Sequence, residues 1–192
     1  MATYLDDLHR QLEVKAAPTR IVSLVPSLTE TLFAFGLGDH VVGVTNFCVE
    51  PPEKVAGKPR VGGTKTLEVA RVLALEPDLI VANAEENREE DVRQLVRAGL
   101  SVFMTFPRTV TGAIGMMRRL ADVTGSQDTA RPILDEAEAA LAAARAANQG
   151  KRPLRVFCPI WRRPWMTIGP DTYMHDFIAA CGGINVFADR LD

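Results

Sequence analysis

The stretch Arg20–Glu30, RIVSLVPSLTE, constrains this chain most, because it reads as a buried strand running directly into a helix. Ile21, Val22, Leu24 and Val25 form a short, mostly apolar run suited to a strand covered on both faces. Pro26 stops the ladder, since it cannot donate a backbone hydrogen bond. Ser27, Leu28, Thr29 and Glu30 fit a capping box, with Ser27 accepting from a first-turn amide and Glu30 reaching back. The helix continues through Leu32, Phe33 and Phe35 and meets Gly36 and Gly38, where a C-cap is expected. Such a junction sets a helix N-terminus at the carboxyl edge of a parallel sheet, where open α/β folds hold ligands. An ordinary βα turn without a ligand fits the same residues.

The pattern then repeats. His40–Thr45 reads as a second strand, Leu79–Ala82 as a third and Leu100–Phe106 as a fourth. Leu67–Leu75 and Arg88–Ala98 have helical spacing between them, and the Pro- and Gly-rich stretch Asn46–Thr66 is too punctuated for regular structure. Short connections between alternating strands and helices predict an α/β fold with a parallel sheet in an N-terminal lobe, residues 1–108. Residues 109–150 carry no strand signal and predict two helices, Val110–Val123 and a long one over Asp128–Ala147, with Pro132 in its first turns. That long helix suits an inter-domain strut, and equally a solvated helix packed on one domain. Residues 151–192 resume with a strand over Leu154–Ile160, a helix over Thr172–Ala180 and a short strand over Ile184–Phe187. They are too few for an independent domain and read as a partial α/β lobe.

Composition removes several classes of function. A net charge of -2 with interspersed signs leaves no electrostatic footprint for nucleic acid. Cys48, Cys158 and Cys181 are too scattered for a disulfide framework or a zinc knuckle. His9, His40 and His175 lie far apart, so no protein-ligated metal site is expected. Cys48 has no base near it in sequence, and no nucleophile or acid–base constellation can be assembled, which disfavours an enzyme. Gly62-Gly63-Thr64-Lys65 lacks the spacing of a phosphate loop and reads as a turn into the next helix. The N-terminus MATYLDDLHRQ has no basic-then-apolar signal pattern, which leaves a cytoplasmic location open.

Candidate ligand contacts concentrate in CPIWRRPWM, Cys158–Met166. Trp161 and Trp165 offer rigid apolar surfaces, and Arg162 and Arg163 offer planar donors for carboxylate or phosphate. One tryptophan in a core and two solvated arginines would be the bland alternative. Glu85, Glu86, Asn87, Thr105 and Phe106 fall at or near the carboxyl ends of strands, where a ligand would lie.

Taken in order, Pro18 with RIVSLVPSLTETLFAFGLG, VVGVT, the loop to Pro51-Pro52, VGGTKTLEVARVLALEPDLIVAN, EENREEDVRQLVRAGLSVFMTFP and RPWMTIGPDTYMHDFIAACGGINVF cover nearly the whole chain. In this order they resemble the class III, or helical-backbone, substrate-binding proteins of ABC transporters, and among these the cobalamin-binding branch most. The resemblance implies two α/β lobes joined by one rigid helix, with a metal chelate (cobalamin or another corrinoid first, iron–siderophore or haem next) held between them. It implies an ABC transporter permease as partner, an extracytoplasmic location and no cofactor of the protein's own. A cytosolic chelate binder or sensor is the alternative. It also implies that DDLHRQLEVKAAPTR is a β-hairpin, where Leu5, Leu8 and Leu12 alone suggest a helix. Residue by residue, Pro26 and Phe47 match ligand-lining positions, and Ser27, Glu86, Phe106, Trp161, Arg162 and Trp165 join them as expected ligand contacts. Glu68 matches the N-lobe glutamate that docks on the transporter, although a carboxylate there also suits the helix dipole. The family's C-lobe glutamate falls beyond Asp192. The C-lobe therefore reads as truncated, and oligomerisation through its incomplete sheet is expected.

Overall fold

The computed structural model describes residues 2–14 and 17–190. It divides into two compact units, one of Met1–Phe106 with Met117–Arg131 and the other of Pro107–Met116 with Pro132–Asp192. The fold is α/β, with a parallel sheet in the first unit.

The first unit opens with an antiparallel hairpin, β1 (Ala2–Leu5) and β2 (Gln11–Val14). The leucine spacing that suggests a helix is overridden at Asp6, whose buried carboxylate accepts from the Leu8 and Arg10 amides and from Arg10 Nε. Those bonds close a turn, and His9 takes the left-handed conformation that the turn needs (φ 58°). The hairpin begins earlier than Asp6, at Ala2.

Four parallel strands form the main sheet: β3 (Ile21–Ser23), β4 (Val41–Val44), β5 (Leu79–Asn83) and β6 (Val102–Thr105), in the order β4-β3-β5-β6. β3 is buried along its whole length and β5 over its first four residues, as apolar runs without alternation require. Helices α1 (Pro26–Ala34), α2 (Pro52–Val55), α3 (Val69–Ala74) and α4 (Glu89–Arg97) occupy the connections. The capping box at Ser27 does not form. α1 starts earlier, with extended Val25 as N-cap, no side-chain cap and Pro26 at the first helical position. Proline's fixed φ and missing N–H suit that position, so the helix start moves ahead of Ser27 and leaves its hydroxyl exposed. Gly36 ends α1 at φ 79°, with its amide on Phe33 O and the Leu37 amide on Leu32 O.

Helices α5 (Val110–Thr124) and α6 (Gln127–Asn148) follow, and each belongs partly to both units. Pro132 is the boundary residue of α6 and lies inside the helix, past its first turn. In the second unit β7 (Leu154–Val156) pairs in parallel with β10 (Gly183–Asn185), and α7 (Tyr173–Ala180) connects back to β10. The expected single strand over Leu154–Ile160 is two elements. The chain leaves β7 at Phe157, and β8 (Pro159–Arg162) forms an antiparallel hairpin with β9 (Trp165–Thr167), a strand the sequence did not announce. Thr172 caps α7, its hydroxyl accepting from the His175 amide at 3.3 Å. Burial of α7 holds the Tyr173 hydroxyl above its usual range, and the Asp176 carboxylate adds to this.

Leu95 and Val96 separate the two faces of α4: the first is fully buried against β5 and β6 residues, the second 48% exposed. Leu95→Ala should lower the unfolding free energy by about 2–5 kcal/mol. Val96→Ala should change it by no more than about 0.5 kcal/mol. Urea denaturation of the two variants checks the assignment of faces.

Candidate functional site

Because the four strands are parallel, their carboxyl ends share one edge of the sheet, and the chain leaves each of them there. Pro26 follows β3, Phe47 follows β4, Glu86 follows β5 and Phe106 follows β6. Pro26 is half-buried at the start of α1, with Ser27 exposed beside it. Phe47 is 60% exposed. Glu86 is exposed, its amide donating to Asn83 Oδ1 at 3.1 Å. The Phe106 amide donates to Asp7 Oδ2 at 2.8 Å, which ties the hairpin to the end of β6.

Beneath these residues lies a connected polar layer. Buried Asn87 donates through Nδ2 to Leu24 O (3.2 Å) and Thr64 O (3.3 Å) and accepts from the Asn83 amide (2.9 Å). Asn83 in turn donates to Thr105 Oγ1 at 3.2 Å, and that hydroxyl donates to Ala82 O at 3.0 Å. One asparagine thus joins the ends of β3 and β5 to the loop before α3. The sequence marks Asn87 as a residue near a strand end but carries no signal for this bridging role.

Cys48, in the loop after β4, is fully buried, with its Sγ 3.1 Å from Thr29 Oγ1 and 3.2 Å from Thr45 Oγ1. Its role is therefore internal support. Glu68 stands at the N-cap of α3, exposed, and pairs with Arg71 Nε at 2.8 Å. Among the described residues no group of three or more His, Cys, Asp or Glu could hold a metal ion. Among them, too, no helix is long and apolar enough to cross a membrane.

In the second unit the β8–β9 hairpin presents Trp161 (64% exposed) and Trp165 (69%). Arg162 pairs with Trp165, and Trp161 with Met166. Paired residues share a face and neighbours along a strand alternate, so Trp165 and Arg162 stand on one face and Trp161 on the other. The Trp161 indole also donates to Arg163 O at 3.2 Å, folding back on its own turn. The tryptophans form two surfaces instead of one platform.

Removing the amide in Asn87→Leu strands Asn83 N–H, Leu24 O and Thr64 O. A loss of about 1–3 kcal/mol in denaturant unfolding is expected, against near-neutrality for exposed Glu86→Ala.

With this geometry in place, the similarities to known proteins become interpretable. A family model described as periplasmic binding protein matches residues 21–191. The vitamin B12-binding protein of Yersinia pestis (strain Pestoides F) is 30% identical over 173 residues, which is 90% of this chain and 61% of that protein. The vitamin B12-binding protein of Vibrio cholerae O395 is 26% identical over 170 residues, 88% of this chain and again 61% of the relative. This chain thus spans 61% of the length of these curated relatives. The crystal structure of the periplasmic vitamin B12-binding protein BtuF of Vibrio cholerae superposes with a TM-score of 0.84 at 25% identity, covering 93% of this chain and 69% of that one. The periplasmic heme-binding protein RhuT from Roseiflexus sp. RS-1 gives a TM-score of 0.77 at 31% identity, covering 91% and 67%. A match over nearly the whole length, through every strand of the parallel sheet, shows that the chain belongs to the periplasmic binding protein family.

Proposed function

We propose that this chain is the substrate-binding component of an ABC importer and that it takes a metal chelate, a corrinoid before haem or an iron–siderophore. The observation that carries this reading is the similarity to vitamin B12-binding proteins along 90% of the chain. The surface chemistry supports it. Phe47 and Trp165 leave large flat apolar faces open to solvent, which suits a macrocycle, and Arg162 beside Trp165 suits carboxylate or phosphate substituents. Pro26, Ser27, Glu86 and Phe106 would complete the contacts on the first unit, and Trp161 would contribute less than Trp165. The chelate is cargo, and no catalytic step belongs to this reading. Relatives described as periplasmic support an extracytoplasmic location.

A haem ligand is the second reading, favoured by the 31% identity to the heme-binding protein RhuT. Titrating the protein separately with cyanocobalamin and with haem, followed by visible absorption, distinguishes the two. Trp165→Ala and Phe47→Ala should each weaken the preferred chelate by more than ~1 kcal/mol, as central aromatic contacts do, and Trp161→Ala by less. Failure of both chelates to bind, or binding within twofold of wild type by the Phe47/Trp165 double variant, would sink the reading.

Glu68, exposed at the start of α3, is proposed as the docking carboxylate. Glu68→Ala should leave chelate affinity unchanged and weaken transport in vesicles carrying the cognate permease. A loss of chelate affinity instead would make it a ligand contact.

A further inference from the structure

The segment that carries Phe47 has little regular structure. Between β4 and α3 the chain has only the short helix α2, among Pro51, Pro52, Gly57, Pro59, Gly62 and Gly63. A loop of this composition presenting an exposed aromatic would ordinarily sample many arrangements, and each flexible residue ordered on binding weakens the complex. Here the loop carries its own framework of hydrogen bonds, and one side chain supplies three of them.

Phe47 sits in a tight turn, Thr45–Cys48, closed by the Cys48 amide on Thr45 O at 3.2 Å. The carbonyls at both ends of that turn accept from the same nitrogen: Arg60 Nη1 lies 2.8 Å from Thr45 O and 2.7 Å from Cys48 O. Arg60 Nη2 reaches Val55 O, at the end of α2, at 3.4 Å. The arginine is itself fixed at its base, because the chain on either side of it bonds to β4: Val44 N to Pro59 O and Val61 N to Val44 O, each at 3.0 Å. Under the turn, the buried Cys48 thiol sits between Thr29 and Thr45 hydroxyls, and the Asn46 amide donates to Gly62 O at 2.8 Å. On its flank the Phe47 ring leans on Gly63, where an added Cβ would stand 3.2 Å from the ring.

We propose that Arg60 is the positioning residue of the ligand site: its guanidinium clamps both ends of the Phe47 turn and holds the ring as a preformed platform for a flat chelate. The proposal rests on the metal-chelate reading and extends it. A lysine at this position keeps the charge but loses the planar fork, and one ammonium cannot reproduce the guanidinium's divergent bonds to the turn and to α2. The turn would then be competent for only part of the time, and the apparent affinity falls by that fraction.

Two measurements on Arg60→Lys test this, with Arg60→Gln as a second variant. The first needs no ligand. In a background where Cys158 and Cys181 are replaced by serine, the only thiol left is Cys48, which is sealed under the turn. Its rate of reaction with an aromatic disulfide reagent should rise by at least about tenfold in Arg60→Lys, because a tenfold loss of affinity requires the turn to be open most of the time. Circular dichroism should remain that of the wild type. The second measurement, with the native cysteines, is a coupling test using cyanocobalamin and haem. Arg60→Lys should weaken the preferred chelate about tenfold in the wild type, and by less than about twofold in a Phe47→Ala background, because the clamp acts through that ring. An unchanged Cys48 rate, or an equal affinity loss with and without Phe47, overturns the clamp while leaving chelate binding intact. Failure of the wild type to bind either chelate overturns the functional reading and the proposal with it, whatever the thiol rate shows.

Discussion

Burial of β3 and most of β5 on both faces is the constraint from which the first unit follows. A strand covered on both sides has no solvent-facing position for a polar side chain along its length. Ile21, Val22, Ile80 and Val81 meet that demand, and Ser23, the polar exception, lies at the carboxyl end of β3, where its hydroxyl meets Thr29 Oγ1 at 2.8 Å. Exposed and polar side chains are thereby displaced to the strand ends. In a parallel sheet all carboxyl ends lie on one edge, so Pro26, Phe47, Glu86 and Phe106 gather there although they are scattered along the sequence.

Exposed aromatic surface is useful to a binding protein only when it is held still. The first unit solves this with buried and half-buried polar groups immediately below the surface. Asn87 fixes the ends of β3 and β5, while Cys48, Thr29 and Arg60 fix the turn after β4. Each of these groups finds hydrogen-bond partners in other segments of the chain, so the desolvation cost of burying it is offset within the fold. The β8–β9 hairpin of the second unit uses another device. Strand pairing alone decides which side chains share a face, and it sets Arg162 with Trp165 while turning Trp161 away.

Much of the architecture was legible in the sequence because its signals are local. Apolar runs of strand length, glycine at helix ends and proline at turns identify every strand of the main sheet and the helices α1, α3 and α4, but not the four-residue α2 (Pro52–Val55), which forms inside the stretch Asn46–Thr66 that reads as too punctuated for regular structure. Local signals fall short where a particular contact decides the outcome. The capping box at Ser27 lost to Pro26, whose preference for the first helical position is stronger than a serine's for capping one turn later. The hairpin at the N-terminus, which leucine spacing would have made a helix, depends on the carboxylate of Asp6 reaching three donors at once. The break in Leu154–Ile160 depends on a change of strand partner at Phe157, which no window of sequence contains.

The sequence by itself determined the α/β class, the order of the strands in the main sheet along the chain and the family, because these rest on periodicity and on motifs that occur in a fixed order. It also determined which side chains were chemically suited to recognition. Which side chains come together was decided by the tertiary structure. Arg60 looks like one more surface arginine until the loop folds and delivers three carbonyls to its guanidinium. Cys48 is a loop thiol with no assigned partner until the fold sets it against Thr29 of α1 and buries it. Trp161 and Trp165 look like a pair until the hairpin register separates them. Hydrogen-bond geometry and strand register are relations between distant segments, and no single segment encodes them.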